Sequence, residues 1–515
     1  MNTSVVWFKR DLRLHDHQPL SLACAQGPVL CLYIIEPSLW QQPDSATQHY
    51  QFILESLVPL QREVERMGGV FAIEVGATID VLTRLHQRLA FTRLYSHQET
   101  GNAHTFARDR AVASWCRQQH VQWTELPQFG VVRALRDRNQ WQAAWEAFVA
   151  QPITPAPRHI TPPAAWGAHS SAPQALPTAT ALGLMQADKP HRQRGGRPLG
   201  EAVLRSFLHQ RAQHYRGGIS SPLTAPNACS RLSPYLAYGC LSLREVVQAT
   251  RSAMLSPNVG GTRLKQGLNA FMSRLYWHCH FIQKLESQPD IEWRNLHRGY
   301  DDLREPDWNA EHFEALKAGR TGWPMVDAAV AMLRDTGWIN FRMRAMLVSV
   351  AAYPLWLHWR PVGLWLAQEF LDYEPGIHWS QHQMQAGTTG INTTRVYNPI
   401  KQAQDHDPKG IFVRRWLPHM RRVPDTWLFE PWRMPPELQR HCGLTVGSGP
   451  EHDIPLPVVD LTEATRSAKA TLHARRAEPG VKAGKKAIVE KHASRQHGSG
   501  AQRDVFTRDS DTPKT

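Results

Sequence analysis

The strongest constraint on the fold lies in the first 130 residues. Short apolar runs rich in β-branched and aromatic residues, Ser4 to Phe8, Val29 to Ile35, Phe71 to Val75 and Phe91 to Ser96, alternate there with helix-length patterns. The helical patterns fall near Leu20 to Ala25, over His49 to Met67 and near Ile79 to Leu89. Strands separated by helices of this length cannot pair as hairpins, so the spacing predicts an α/β domain with a parallel sheet. From 131 to 199 the periodicity fades, and nine prolines fall between Gln151 and Gly200; this segment reads as an interdomain connector anchored by Trp166. Residues 200–435 carry helical periodicity almost throughout, with no sustained period-two alternation. Residues 436–515 form a C-terminal extension, basic and expected to be disordered from about 460.

A chain of 515 residues has the length for two or three domains and a large core. The formal net charge is +14 and the pI near 9.6. Residues 461–515 hold twelve Lys or Arg against six Asp or Glu, which leaves +8 on the rest. A basic body favours a polyanionic partner, nucleic acid above all. The seven cysteines are scattered and never form a CxxC pair, which fits a reducing compartment and no iron-sulfur cluster. His278-Cys279-His280 is the one compact ligand-like group, but adjacent helical positions diverge, so no metal is expected. No run of about 18 uncharged apolar residues occurs, and the N-terminus enters a strand directly. The chain reads as cytoplasmic, without a membrane partner, and monomeric.

Four segments hold the chemistry-bearing residues. Residues 386–418 are dense in Gly, Asn, Asp and Pro and end in an aromatic-basic cluster with Arg414 and Arg415, the composition of a loop that wraps a ligand. Asn227 to Ser242, NACSRLSPYLAYGCLS, offers a helix start whose free N–H groups and Ser230 or Ser233 hydroxyls suit a phosphate. Gly319 to Arg344 ends in a helix with Arg342 and Arg344 in its first turn, where the macrodipole calls for a compensating acid. Leu371 to Gln383 supplies Asp372 and Glu374.

With WFKRDLRLHD, SRLSPYLAYG, GRTGWPMVDAA, TGWINFRMR and YNPIKQAQDHDPKGIFVRRWLP in this order, residues 1 to about 430 resemble the photolyase/cryptochrome family, in a divergent bacterial-type branch. The resemblance implies a Rossmann-like α/β domain able to hold a second antenna chromophore, a folate or deazaflavin, followed by an all-α FAD-binding domain. Tyr215, Cys229, Ser230, Arg231, Leu232 and Ser233 fall on the flavin phosphate positions. Arg344 and Asp372 match the pair beside the isoalloxazine, with Asn340, Tyr373 and Glu374 nearby. Trp308, Trp359 and Trp379 are the implied electron-transfer chain, with Trp379 standing in for an aligned Ser380. Arg274, Trp277, Phe341, Arg342 and His382 take the DNA and lesion positions. Trp7, Lys9, Arg10, Asp11 and Arg13 belong to the opening motif and knit the domain.

The lesion pocket departs from the family pattern. Arg274 stands where a carboxylate is usual, and a guanidinium donates only; His382 replaces a second stacking Trp, and Phe341 and Ala345 replace a histidine pair. The leading expectation is a carbon-carbon lyase that uses reduced FAD and light to split pyrimidine dimers in single- or double-stranded DNA. The alternative is a cryptochrome-type photoreceptor that binds FAD, performs no repair and meets a signalling partner. A nicotinamide-dependent flavin oxidoreductase lacks a GxGxxG after a strand.

Overall fold

The computed structural model describes residues 3–167, 175–256, 262–391 and 395–493. Its N-terminal part is one five-stranded parallel sheet of order β3-β2-β1-β4-β5, made of β1 (Ser4–Phe8), β2 (Val29–Ile35), β3 (Val70–Val75), β4 (Arg93–His97) and β5 (Gln122–Leu126). Ser4 sits opposite both Val29 and Arg93, which fixes β1 as the centre. β1 and β2 are buried along their whole length, as parallel strands covered on both faces require. Helices α1 (Gln18–Cys24), α2 (Thr47–Arg66), α3 (Thr78–Leu89) and α4 (Ala103–Gln118) make the crossovers. β5 and α4 were not legible in the pattern. QWTEL is an edge strand with little apolar content, and the inner face of α4 carries Asp109, salt-bridged to Lys9 at 3.0 Å.

The expected connector is not structureless. Trp141 and Trp145, one turn apart, nucleate α5 (Trp141–Ala150) and are both buried. Trp166 is held as anticipated, with the Arg88 guanidinium 4.3 Å over its ring.

The opening motif also crosses to the helical part. Arg10 Nη2 donates to the Tyr373 carbonyl at 2.7 Å, Leu12 N to Tyr238 O at 3.2 Å and Arg13 Nη1 to Gly239 O at 3.0 Å. Gly239 has φ +65°, and a Cβ there would collide with the Arg10 carbonyl. This close approach explains the glycine of SRLSPYLAYG.

The helical part comprises α6 (Arg197–Ser206), α7 (Leu243–Leu255), α8 (Thr262–Ser287), α9 (Ala310–Ala318), α10 (Pro324–Thr336), α11 (Phe341–Ala352), α12 (Trp359–Glu369), α13 (Pro375–Ala386), α14 (Pro399–His406) and α15 (Ile411–Trp416), with short helical turns between them. The segment read as a ligand-wrapping loop holds these last two helices, and its residues 392–394 lie outside the described residues. Asn398 Oδ1 accepts from Lys401 N at 3.0 Å to cap α14. The Asp407 carboxylate accepts from Phe412 N and Val413 N, each at 3.0 Å, to start α15. The Asn and Asp are capping residues, and Arg414 pairs with Asp425 at 2.6 Å.

The expectation of disorder from about 460 is overturned for 461–493. Two further helices, α16 (Leu461–Ala477) and α17 (Pro479–His492), follow. Asp460 caps α16, accepting from Glu463 N at 2.8 Å. Ala468, Leu472 and Val481 pack into a cluster with Tyr300, Tyr353, Trp359 and Trp379. Three apolar residues spread over two helices are too sparse to register as periodicity, yet they suffice when the receiving surface is aromatic. Residues 494–515 lie outside the described residues. Leu472→Ala is expected to cost about 2–5 kcal/mol of docking energy. Hydrogen exchange across 461–492 checks it, and unchanged protection would refute the packing.

Candidate functional site

The polar site begins where Asn227 to Ser233 turns into a short helix. Arg231 sits at φ +62°, so its backbone folds back, and Gln193 Nε2 donates to its carbonyl at 3.0 Å. Its guanidinium lies 3.8 Å over the Trp338 ring. Arg211, which sequence reasoning missed, donates to the Cys229 carbonyl and to those of Ser230 at 3.1 Å and Val203 at 3.2 Å. Arg274 hydrogen-bonds the Tyr215 hydroxyl, and Tyr215 is wedged between Phe207 and Phe271 at 5.6 and 5.8 Å. Ser230 Oγ accepts from Leu232 N at 3.4 Å, and Leu232 itself is a core residue.

Arg344 donates to Asp372 through Nη1 at 2.9 Å and Nη2 at 3.0 Å, a bidentate pair, while its Nε donates to Ile339 O at 2.9 Å. Burial would raise the Asp372 carboxyl; the Arg344 charge and hydrogen bonds from Arg344 and Ser233 outweigh it and hold the group below its usual range. Asn340 donates to the carbonyls of Ile219 at 3.0 Å and Ser220 at 2.9 Å, so it ties the loop before the phosphate motif to the start of α11.

These residues converge electrostatically on Cys229. Burial pushes its thiol up to about 12, opposed by the charges of Arg231, Arg344, Arg211 and Arg274. Burial also lowers Arg231 to about 10. Neither Arg211 nor Arg231 pairs with a carboxylate among the described residues. Four guanidiniums around one carboxylate form a site for a multiply charged anion. An adjoining cavity of about 610 Å³, lined by His214, Arg216, Gly217, Asn227 and Arg263, has the size of a cofactor site.

Two assignments are corrected. Tyr373 and Glu374 do not face Arg344. The Tyr373 hydroxyl donates to Asp44 Oδ2 at 2.7 Å and its ring stacks on His49 at 6.2 Å. Glu374 Oε2 lies 3.4 Å from Arg10 Nη2. Both point into the seam with the N-terminal part, toward Asp44 and Arg10, away from the Arg344–Asp372 pair. Burial pushes Glu374 up to about 7, against the charge of Arg10. Since this folded-state value exceeds the unfolded 4.5, its stabilising contribution is complete below 4.5 and is lost as pH rises through about 7. Glu374→Gln is therefore expected to raise the melting temperature relative to the parent at pH 8 and to change it little at pH 5.5; an equal shift at both pH values would refute this.

Trp379 is fully buried and packs against Trp359 at 5.9 Å and 70°. Trp359 Nε1 donates to Asn295 Oδ1 at 2.7 Å, and Trp379 Nε1 finds no acceptor among the described residues. Trp308 is not drawn into this pair; it is 37% exposed and rests on Phe313 at 5.1 Å. On α13, His378 and His382 stack at 4.0 Å. His382 Nδ1–H donates to the His378 carbonyl at 2.9 Å, which leaves a buried Nε2 acceptor without a donor among the described residues. Burial lowers His382 to about 4, so it is neutral.

Trp277 is half-buried on α8, against His280 at 5.7 Å and Phe281 at 5.4 Å. Phe341 is 40% exposed at the start of α11, beside Arg342, whose Nη2 donates to Ser220 Oγ at 3.4 Å.

Asp11, His17 and His97 are close enough to hold a cation, but their hydrogen bonds close on themselves. Asp11 Oδ2 accepts from His17 Nε2 at 2.9 Å and His97 Nδ1 at 2.7 Å, Asp11 Oδ1 accepts from Lys9 N at 2.7 Å, and His17 Nδ1 accepts from Leu20 N at 3.1 Å. Among the described residues no helix is long and apolar enough to cross a membrane.

Comparison with known proteins agrees with this geometry. Residues 4–136 match the family model described as DNA photolyase, and residues 271–474 the FAD binding domain of DNA photolyase. A Cryptochrome DASH of Gloeobacter violaceus is 28% identical over 92% of this chain and 96% of its own. A deoxyribodipyrimidine photo-lyase of Streptomyces griseus is 28% identical over 90% of this chain and 98% of its own. An archaeal photolyase from Sulfolobus tokodaii, solved with two FAD molecules, superposes with a TM-score of 0.73 at 22% identity, covering 92% of this chain and all of its own. With both domain models matched in order along one chain, and an arginine-rich anion site in its helical half, this protein belongs to the photolyase/cryptochrome family and its cofactor is FAD.

Proposed function

We propose that the protein is a light-driven DNA-repair photolyase acting on ultraviolet-induced pyrimidine dimers. Bound FAD supplies one-electron transfer to the lesion under light. The protein's own residues do the rest. Arg211, Arg231 and Arg274 balance the diphosphate, and Ser233 and the Arg344–Asp372 pair hold a fixed charge at the ring system. His382 Nε2 presents a buried acceptor, and Trp359 and Trp379 pack edge-to-face as a route for electrons. Phe341 offers an exposed aromatic face and Arg342 a cation, the combination that receives a flipped base and its phosphate.

The observation that carries the reading is the guanidinium cluster with its single carboxylate, next to a buried Trp pair. The antenna function rests on less, since the seam cleft offers only about 100 Å³ and is lined by Lys9, Glu36, Glu99 and Arg108. Arg108 lies 2.9 Å from Glu36 and 2.6 Å from Glu99. A second chromophore would have to displace these pairs, and FAD is expected as the only pigment.

A photoreceptor role is the second reading, favoured by one observation. Helices α16 and α17 dock on the cluster that contains Trp359 and Trp379, so charge created on that pair has a tail to release. The test is blue-light repair by FAD-loaded, chemically reduced protein on cyclobutane-dimer and (6-4) substrates, in single and double strands. Turnover of either substrate supports the photolyase; no repair with an intact, photoactive flavin establishes the photoreceptor.

A further inference from the structure

Away from the flavin site, four basic side chains converge without an acid among the described residues. Lys284 and His280 project from α8, Arg138 from the turn before α5 and His492 from the end of α17, and Lys284, His280 and His492 are buried. Arg138 Nη2 meets His280 Nδ1 at 2.5 Å, and its Nη1 is buried with no acceptor. His492 Nε2 donates to Gln288 Oε1 at 2.9 Å, and its Nδ1 is likewise buried without a partner among the described residues. The Lys284 ammonium lies 5.1 Å over the Phe281 ring and makes no hydrogen bond or ion pair among the described residues. The acids beside Arg138 and Lys284 along the chain are engaged elsewhere. Asp137 accepts from Asn139 at 2.9 Å and Glu286 from Thr100 at 2.6 Å.

Burying like charges together is costly unless an anion joins them. Burial lowers Lys284 to about 7, Arg138 to about 10 and His492 to about 3; the Arg138 charge adds to the shift of Lys284, and the Lys284, Lys491 and Arg138 charges to that of His492. A tetrahedral oxyanion that keeps one acidic hydroxyl, such as hydrogen phosphate, would accept from Arg138 Nη1 and the Lys284 ammonium and donate its hydroxyl proton to His492 Nδ1, the acceptor nitrogen of a ring whose Nε2–H donates to Gln288 Oε1. His492 is the last residue of α17, so the cluster is complete only when that helix is docked.

We propose that Arg138, His280, Lys284 and His492 form a binding site for a phosphate-type oxyanion, whose occupancy holds α17 on the body. This does not rest on the repair reading. The anion is either free phosphate or the terminal phosphate of a nucleotide, a shared chemistry for which the cluster is equally suited.

The test is hydrogen exchange of Pro479–His492 in full-length, FAD-loaded protein at fixed ionic strength, in chloride, inorganic phosphate or adenosine monophosphate. At ten times its dissociation constant, phosphate is expected to slow exchange there about tenfold while the sheet is unaffected. Protection by phosphate alone assigns the free ion, and protection by the nucleotide as well assigns a terminal phosphate. Lys284→Met is expected to be protected in chloride and indifferent to phosphate, because the repulsion is gone. Arg138→Gln provides a second variant, with a reduced phosphate response. Equal exchange of the parent in all three solutions, or a phosphate effect that persists in both variants, overturns the site.

Discussion

Asp372→Asn is expected to strip the protein of its flavin. The carboxylate receives both Arg344 Nη groups, at 2.9 and 3.0 Å, and Ser233 hydrogen-bonds it as well. The amide keeps the shape and removes the charge, so Arg344 is left facing Arg231, Arg211 and Arg274 uncompensated. Removing one member of a buried pair costs about 3–5 kcal/mol, equivalent to two or three powers of ten in flavin affinity if it appears there. The measurement is the ratio of flavin to protein absorbance after purification, with a thermal melt beside it. Full FAD occupancy with an unchanged melt would remove Asp372 from the site. Ser233→Ala is expected to act in the same direction with a smaller effect, since a single neutral hydrogen bond contributes about 1 kcal/mol.

Trp379→Phe is expected to abolish light-driven reduction of bound FAD by external reductants while leaving FAD loading intact. Phenylalanine fills most of the volume between Trp359, His378 and Gly363 but is far harder to oxidise. An added barrier of about 2.7 kcal/mol already slows transfer about a hundredfold. Under the proposed repair function, protein reduced chemically beforehand should match the parent on dimer-containing DNA, which separates the electron route from the repair step. Photoreduction at the parent rate would show that another aromatic serves. Trp308→Phe is expected to have the weaker effect, because Trp308 packs on Phe313 and not on the Trp359–Trp379 pair.

Much of the architecture was legible along the chain. The buried strands β1 and β2 are nearly pure apolar runs, and the Gly-flanked α10 and Arg-led α11 announce their own ends. The edge strand β5 and helix α4 were not legible, because their inner faces carry Trp123, Lys9-bound Asp109 and Thr105 instead of an aliphatic stripe. The 386–418 segment shows how composition misleads. Asn398 and Asp407 look like ligand-loop residues and are helix caps, and the same side chain serves either use depending on which N–H groups lie within reach.

The anion site was half legible. The run Cys229 to Ser233, together with Arg344 and Asp372, could be placed by motif, but Arg211 lies 18 residues before Cys229 and carries no motif of its own. Tyr373 and Glu374 were misplaced because adjacency in sequence says nothing about which domain a side chain faces after a turn. Asp44, His49 and Arg10, which claim them, are more than 300 residues away along the chain.

What the sequence determined by itself is the part governed by local periodicity and short motifs: an α/β sheet followed by helices, the FAD-domain signature and the pairing of Arg344 with an acid nearby. Those properties depend on contacts a few residues apart or on residue types that only one chemistry uses. The tertiary structure alone decided which guanidiniums gather around Cys229, that Trp379 packs edge-on against Trp359, and that residues 461–493 fold. Each depends on burial against distant surfaces, where a desolvated charge or a few apolar side chains gain their weight from the receiving surface, and no local pattern encodes that surface.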